Sequence, residues 1–234
     1  AELISLEDGD RVADLGCGTG LLTETLLQRI AATPGALAAE EVETEASPRI
    51  AITAVDLVSD ALEKARQKCD RLFETEVGLE NVSVSYLARN LEPHGGTARG
   101  FAAASFEKVI ASLFISYLAH PQEMMDEFYR LVAPGGRLLV SSMRPDSDVS
   151  TIFTEYVDTV RTKNKAGGGE LNSAQAMLNE AAALFELEEE GLFYFYTAEE
   201  LEEMFRRSGF HRIATHRSLG TPPQAIVVTG EKPS

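Results

Sequence analysis

Ten residues near the start constrain the fold of this chain more than any others. Arg11 to Leu15 reads as a short apolar strand, and Gly16-Cys17-Gly18-Thr19-Gly20 as a glycine turn. Leu21, Leu22, Leu26, Leu27 and Ile30 then recur at helical spacing. A strand that turns through glycines straight into a helix is the opening unit of an α/β sheet. It is also a generic nucleotide site, because small residues admit a ligand to the backbone and the helix N-terminus adds positive potential. The dinucleotide pattern is not completed, since Leu21 stands where its third glycine belongs. No Lys-Ser/Thr pair follows, which excludes an ATPase-type phosphate loop.

Further along, strands and helices alternate. Strands are expected at Ile50–Asp56, Val82–Leu87, Lys108–Ser112 and Arg137–Ser142. Ser59 is the expected N-cap of a helix whose face carries Leu62, Ala65, Cys69, Leu72 and Phe73, with Gly78 closing it. Pro121 suits the first position of the next helix; Met124, Met125, Phe128, Leu131 and Val132 form its buried face, and Pro134-Gly135-Gly136 ends it. Thr197 and Glu200 form a capping box for a helix ending at Gly209. Two strands near Arg212–Ser218 and Ala225–Gly230 are joined by a short turn, so they should pair as an antiparallel hairpin. The order implies an α/β fold: a Rossmann-like, mostly parallel seven-stranded sheet with a closing hairpin.

Two stretches break the rhythm. Residues 33–49 are rich in Ala and Glu and read as a surface insertion. Residues 144–196 read as a helical lid inserted after strand five, with helices near 151–163 and 173–188 around a Gly167-Gly168-Gly169 linker. With these two insertions the chain reads as one domain spanning 1–234.

Charge and cysteine use narrow the function. With 21 Lys+Arg against 37 Asp+Glu the net charge is −16, so a nucleic-acid backbone or an anionic membrane is repelled. The thin basic group Arg206, Arg207, His211, Arg212, His216 and Arg217 does not offset this. Cys17 and Cys69 make neither a disulfide framework nor a metal-ligand spacing, so no metal is expected. No apolar run is long enough to span a bilayer and no signal peptide is evident; a cytoplasmic setting is expected.

Asp14 and Asp56 sharpen the reading of the glycine turn. A carboxylate at the mouth of the loop repels a pyrophosphate but suits a ligand carrying an ammonium. An acid ending the second strand can accept both hydroxyls of a ribose. Asp56 lies about 36 residues beyond Gly20, against about 20 in the simple dinucleotide fingerprint, and the acidic insertion accounts for the excess.

Val12-Ala13-Asp14-Leu15-Gly16-Cys17-Gly18-Thr19-Gly20 resembles the signature loop of class I S-adenosylmethionine-dependent methyltransferases. Ala54-Val55-Asp56-Leu57 resembles their ribose-binding strand end, and Asn90-Leu91-Glu92-Pro93 their adenine-binding segment. Leu131 to Val140 is similar to the junction that leads into strand five, and the final hairpin also fits. The nearest branch is the quinone-type small-molecule enzymes. The resemblance implies S-adenosylmethionine as cofactor and S-adenosylhomocysteine as product. By position, Asp14, Gly16, Cys17, Gly18 and Gly20 hold the methionine end. Asp56 holds the ribose, Leu57 packs on the adenine, and Asn90 with Leu91 faces the adenine edge. Ser112 and Leu113 border the methionine end, and Tyr117 lines the cleft.

The implied reaction is methyl transfer to a small apolar or aromatic acceptor. Ser142, Met143, Arg144, Tyr194 and Tyr196 are the acceptor-side candidates. Among Phe193 to Tyr196, consecutive aromatics either form core or turn half their rings to a substrate. No catalytic base is assigned; His94, His120, His211 and His216 all fall where loops, a helix start or the last hairpin are expected. Relatives carry helical sequence before the first strand, whereas about ten residues precede it here. Further domains of a longer chain therefore stay open as partners. The alternative function is a non-catalytic S-adenosylmethionine-binding module. A nicotinamide-dependent oxidoreductase is disfavoured by Leu21 and Asp14.

Overall fold

The computed structural model describes residues 3–32, 49–92, 100–148, 190–219 and 221–234. Seven strands form one sheet: β1 (Arg11–Leu15), β2 (Ile50–Asp56), β3 (Val82–Ala88), β4 (Phe106–Ser112), β5 (Val132–Met143), β6 (His211–Ser218) and β7 (Ala225–Glu231). Their order is β3-β2-β1-β4-β5-β7-β6. β1 through β5 pair in parallel, while β7 runs antiparallel to both β5 and β6. The Rossmann-like architecture and the closing hairpin are as expected. β7 lies between β5 and β6, so the last strand inserts beside β5 and leaves β6 at the edge.

Alternation along the central strands feeds two cores. Ala13, Leu15, Val109, Ala111, Leu138 and Val140 face one cluster, while Val12, Ile110 and Leu139 face the other. Because side chains on a strand alternate faces, a strand buried on both sides must be apolar throughout. α1 (Leu21–Ala31) and α2 (Ser59–Thr75) cover one face through residues such as Leu26, Leu27 and Cys69. α3 (Pro121–Leu131) and α4 (Ala198–Ser208) cover the other through Met124, Met125, Phe128, Leu201 and Phe205.

Three local expectations are corrected. Ser59 is the first residue of α2, not its cap; Val58 occupies that position and Asp56 Oδ1 accepts the Val58 N–H at 2.9 Å. α2 stops at Thr75, where Glu76 turns extended, three residues before Gly78. Pro134-Gly135-Gly136 does not separate α3 from β5. β5 begins at Val132 and carries those residues as a bulge, with Phe106 opposite Val132 but Lys108 opposite Arg137. A Cβ on Gly136 would come within 2.6 Å of the Glu107 carbonyl, so the close approach to β4 requires glycine. By contrast, the Thr197–Glu200 capping box forms as read, and Gly209 closes α4 with φ of 99°.

The expected surface insertion, 33–49, lies outside the described residues except for Arg49. The body of the expected lid, 149–189 with both of its helices, also lies outside them, as do His94 and Pro93.

Candidate functional site

The chain runs from β1 outward to β3, then returns to place β4 on the other side of β1. Such a reversal opens a crevice at the carboxyl ends of the strands. A cavity of about 630 Å³ lies there, within the range of small-molecule sites. Gly16 and Gly18 follow β1, Asp56 ends β2 with Leu57 just beyond it, Asn90 and Leu91 follow β3, and Ser112 ends β4 with Leu113 just beyond it; all line this cavity, as does Tyr117.

The glycine loop is held from beneath. Gly16 N–H and Cys17 N–H both donate to the Val55 carbonyl, at 2.8 and 3.0 Å. Gly18 N–H donates to Asp56 Oδ2 at 2.8 Å. Asp56 therefore grips the loop with one oxygen and the start of α2 with the other. Each oxygen retains lone-pair capacity for a hydroxyl group.

The three loop glycines do different work. A Cβ on Gly16 would lie 2.6 Å from the Phe114 ring, and one on Gly20 would lie 2.5 Å from the Ala65 Cβ. Those two let α2 and the segment after β4 close against the loop. At Gly18, with φ of 53°, a Cβ would meet nothing within 4 Å. That open face is the cradle a ligand can fill.

Asp14, Cys17 and Gly20 are not part of the cavity wall. Asp14 is 1% exposed and turned to the start of α1, where the Thr23 hydroxyl donates to it at 2.6 Å. Gly20, the N-cap of α1, has no side chain to satisfy the first amides of that helix. Asp14 supplies the missing acceptor from the strand, also taking the Thr23 N–H. Burial, with the Asp56 charge adding to it against the Thr23 bonds, pushes its carboxyl up to about 6. The Cys17 thiol is driven far above its ordinary range by burial and by the Asp14 and Asp56 charges, which makes it a poor nucleophile.

A family model for a methyltransferase domain matches residues 1–215. The chain belongs to that family. The resemblance drawn from the loop and strand-end motifs is thereby borne out at family level. A biotin biosynthesis bifunctional protein, BioHC, from Teredinibacter turnerae is 29% identical over 139 residues, covering 59% of this chain and 20% of that protein. A ubiquinone biosynthesis O-methyltransferase from Alkalilimnicola ehrlichii is 26% identical, covering 58% and 42%. A demethylmenaquinone methyltransferase from Tropheryma whipplei is 22% identical, covering 94% and 79%. The chain spans between 20% and 40% of the length of the two BioHC proteins and the malonyl-[acyl-carrier protein] O-methyltransferase it matches. Among solved structures, a putative methyltransferase from Bacillus halodurans shares the fold with a TM-score of 0.57 at 14% identity, covering 100% of this chain and 96% of that one.

The methyltransferase domain has other cavity-lining residues to which motif reading assigned no role, Val58, Ala61, Arg89, Glu92, Phe114 and Leu118, although Glu92 lies within the adenine-segment motif. Arg89 and Glu92 flank the recognised Asn90 and Leu91 and were reachable by adjacency. Phe114 and Leu118 belong to a 3₁₀ turn, Phe114–Tyr117, and its exit, which no periodicity announces. Asn90 is also a turn residue, its Oδ1 accepting the Glu92 N–H at 2.9 Å.

The acceptor-side candidates are not brought together at this cavity. Ser142 is fully buried and bonded to Ser116 Oγ at 3.2 Å, and Met143 is buried beside it. Arg144 is tied to the Pro223 carbonyl and to Asp146, so its guanidinium fastens the last hairpin. Tyr196 is buried among the core residues, and burial raises its hydroxyl to about 12. Tyr194 alone is exposed, at 42%, with its N–H donating to the Ser116 carbonyl at 2.8 Å. Both readings of the aromatic run therefore apply to different rings: Phe193 and Tyr196 are core, and Tyr194 is not. Phe193 packs edge-on against Tyr117 at 4.7 Å, which joins this segment to the cavity mouth.

Among the described residues, no helix is long and apolar enough to cross a membrane.

Proposed function

We propose that this domain binds S-adenosylmethionine in the cavity at the ends of β1 to β4 and transfers its methyl group to a small apolar or aromatic acceptor. One observation carries the reading. The open face of Gly18 and the carboxylate of Asp56 are bonded to each other and line one cavity of suitable size. That pairing suits a nucleoside whose ribose hydroxyls need acceptors and whose tail must approach a bare backbone. Leu57 and Leu91 supply apolar walls for a base, and Asn90 a polar edge. Ser112 and Leu113 border the opposite end. Asp14 acts through the loop and α1, since it does not reach the cavity.

The cofactor, when bound, supplies a methyl group already activated on a sulfonium. What remains for the protein is to align an acceptor for in-line attack and keep water away. Tyr117, half-exposed at the mouth and braced by Phe193, is placed to contact an acceptor. Burial raises its hydroxyl above the ordinary tyrosine range, so it stays protonated at neutral pH and donates. The named chemistry of two relatives, ubiquinone biosynthesis O-methylation and demethylmenaquinone methylation, supports a quinone-like ring as acceptor. Residues 144–148 and 190–196 frame the ends of the inserted segment, which we assign to acceptor selection.

Calorimetric titration of the chain with S-adenosylhomocysteine tests the site. Micromolar binding, lost in Asp56→Ala and absent for NADH, is expected. A well-folded chain that ignores S-adenosylhomocysteine refutes the assignment. Methyl transfer to a panel of quinols and catechols then tests the acceptor class; binding without turnover on any acceptor favours a non-catalytic module.

A further inference from the structure

Leu113 adopts φ of 57° and ψ of 0°, the left-handed region, immediately after β4. L-residues with a branched apolar side chain avoid that region, and glycine or asparagine normally fills such a position. The residue lines the cavity and begins the turn that carries Phe114, which in turn packs over Gly16, and Tyr117 at the mouth. Its conformation therefore sets the course of one whole wall. A residue held in a sparsely populated conformation persists only where its surroundings fix it.

The fixing group is on the neighbouring strand. Leu113 N–H donates to the carbonyl of Ser141 and to its Oγ, both at 3.1 Å. The same Oγ lies 3.1 Å from the Oγ of Ser112, which lines the cavity. Ser141 is 6% exposed and is not itself in the cavity wall. With one lone pair of Ser141 Oγ taken by the Leu113 amide, its proton is available to Ser112. Ser112 can then direct its own proton to a ligand.

We propose that Ser141 is a positioning residue of the cofactor site: its hydroxyl holds Leu113 left-handed and orients Ser112 towards the ligand. This rests on the cofactor reading given above. An alanine at 141 keeps the carbonyl bond and the strand pairing, so it removes only the hydroxyl's part.

The test is S-adenosylhomocysteine affinity by calorimetry, with urea unfolding of each variant measured alongside. Ser141→Ala should weaken binding about three- to tenfold, the worth of one hydrogen bond. Ser141→Thr, which keeps the hydroxyl, should lie nearer the wild type. In a Leu113→Gly background, where the backbone takes positive φ freely, Ser141→Ala should cost clearly less than in the wild type, the remaining loss being the orientation of Ser112. An equal loss in both backgrounds, or no loss from Ser141→Ala in a folded chain that binds normally, overturns the proposal. Should Ser141→Ala not fold, a second pair decides. Leu113→Val, β-branched and excluded from the left-handed region, must bind at least about tenfold more weakly than Leu113→Gly; equal affinities overturn it. Wild-type chain that folds but does not bind overturns the cofactor reading and this proposal together, whereas wild-type binding with indifferent variants overturns this proposal alone.

Discussion

Asp14 offers a quantitative test of how the loop is held. It is 1% exposed, and burial raises its carboxyl from 3.8 to about 6. A carboxyl whose folded value exceeds its unfolded one binds its proton more tightly in the fold. Its contribution to stability is fully present below pH 3.8 and is lost as the pH rises through about 6. A shift of about two units corresponds to about 3 kcal/mol withheld from the fold at neutral pH. Asp14→Asn keeps an oxygen for the Thr23 hydroxyl and cannot ionise. The stability of the variant minus that of the wild type should therefore widen by between about 1 and 2 kcal/mol from pH 5 to pH 8.

Urea unfolding at four pH values across that range measures the difference through midpoint and slope. Staying above pH 5 avoids the isoelectric region near 4.7, where loss of net charge favours precipitation. The asparagine amide nitrogen brings its own burial cost of about 1–3 kcal/mol if it finds no acceptor. That cost is the same at every pH and cancels from the slope. A difference that stays flat, or narrows with rising pH, refutes the account of Asp14 as a buried, charged acceptor for α1.

The loop glycines should separate by experiment. Gly18→Ala puts a methyl into open space at φ of 53°, costing about 1–2 kcal/mol of stability but cutting S-adenosylhomocysteine affinity at least about tenfold. Gly20→Ala drives a Cβ into Ala65 of α2, so a thermal melt should show it as the more damaging of the two. Thr197→Ala removes the hydroxyl that accepts Glu200 N–H at 3.2 Å and should cost about 1 kcal/mol by urea unfolding, with cofactor affinity unchanged. Phe193→Ala empties a side chain that is 1% exposed and loses the edge contact to Tyr117; about 3–5 kcal/mol of stability should go with it.

Most of the sheet was legible because its signals are local. The turn Gly16–Gly20 announces both β1 and α1, and the short apolar run from Ile50 that ends on Asp56 shows β2 without reference to anything distant. The errors fall where a local signal has two physical meanings. Pro134-Gly135-Gly136 reads as a helix stop, yet here the glycines allow β5 to bulge against β4. Ser59 reads as a cap, yet the acceptor at that end of α2 is Asp56, a residue at the tip of β2. Gly78 reads as a terminator, although α2 had already turned extended at Glu76.

The site divides along the same line. Residues at or just beyond a strand end, such as Gly18, Asp56, Asn90, Ser112 and Leu113, were readable because strand ends converge in a parallel sheet whatever the details. What each residue bonds to was not, since the partners are remote in sequence. Asp56 grips Gly18 across 38 residues and Ser141 reaches Leu113 across 28. Asp14 shows the consequence. As a motif residue it was assigned to the ligand, whereas in the fold it turns 9 residues along the chain to Thr23, because Gly20 leaves α1 uncapped. Two carboxylates thus flank the loop, Asp14 holding the start of α1 and Asp56 holding Gly18, and only the second faces the cavity. The Val55 carbonyl is the floor of the turn that exposes Gly18, whereas the burial cost at Asp14, to which the Asp56 charge adds, is offset in part by the two Thr23 bonds that tie the start of α1 to the end of β1.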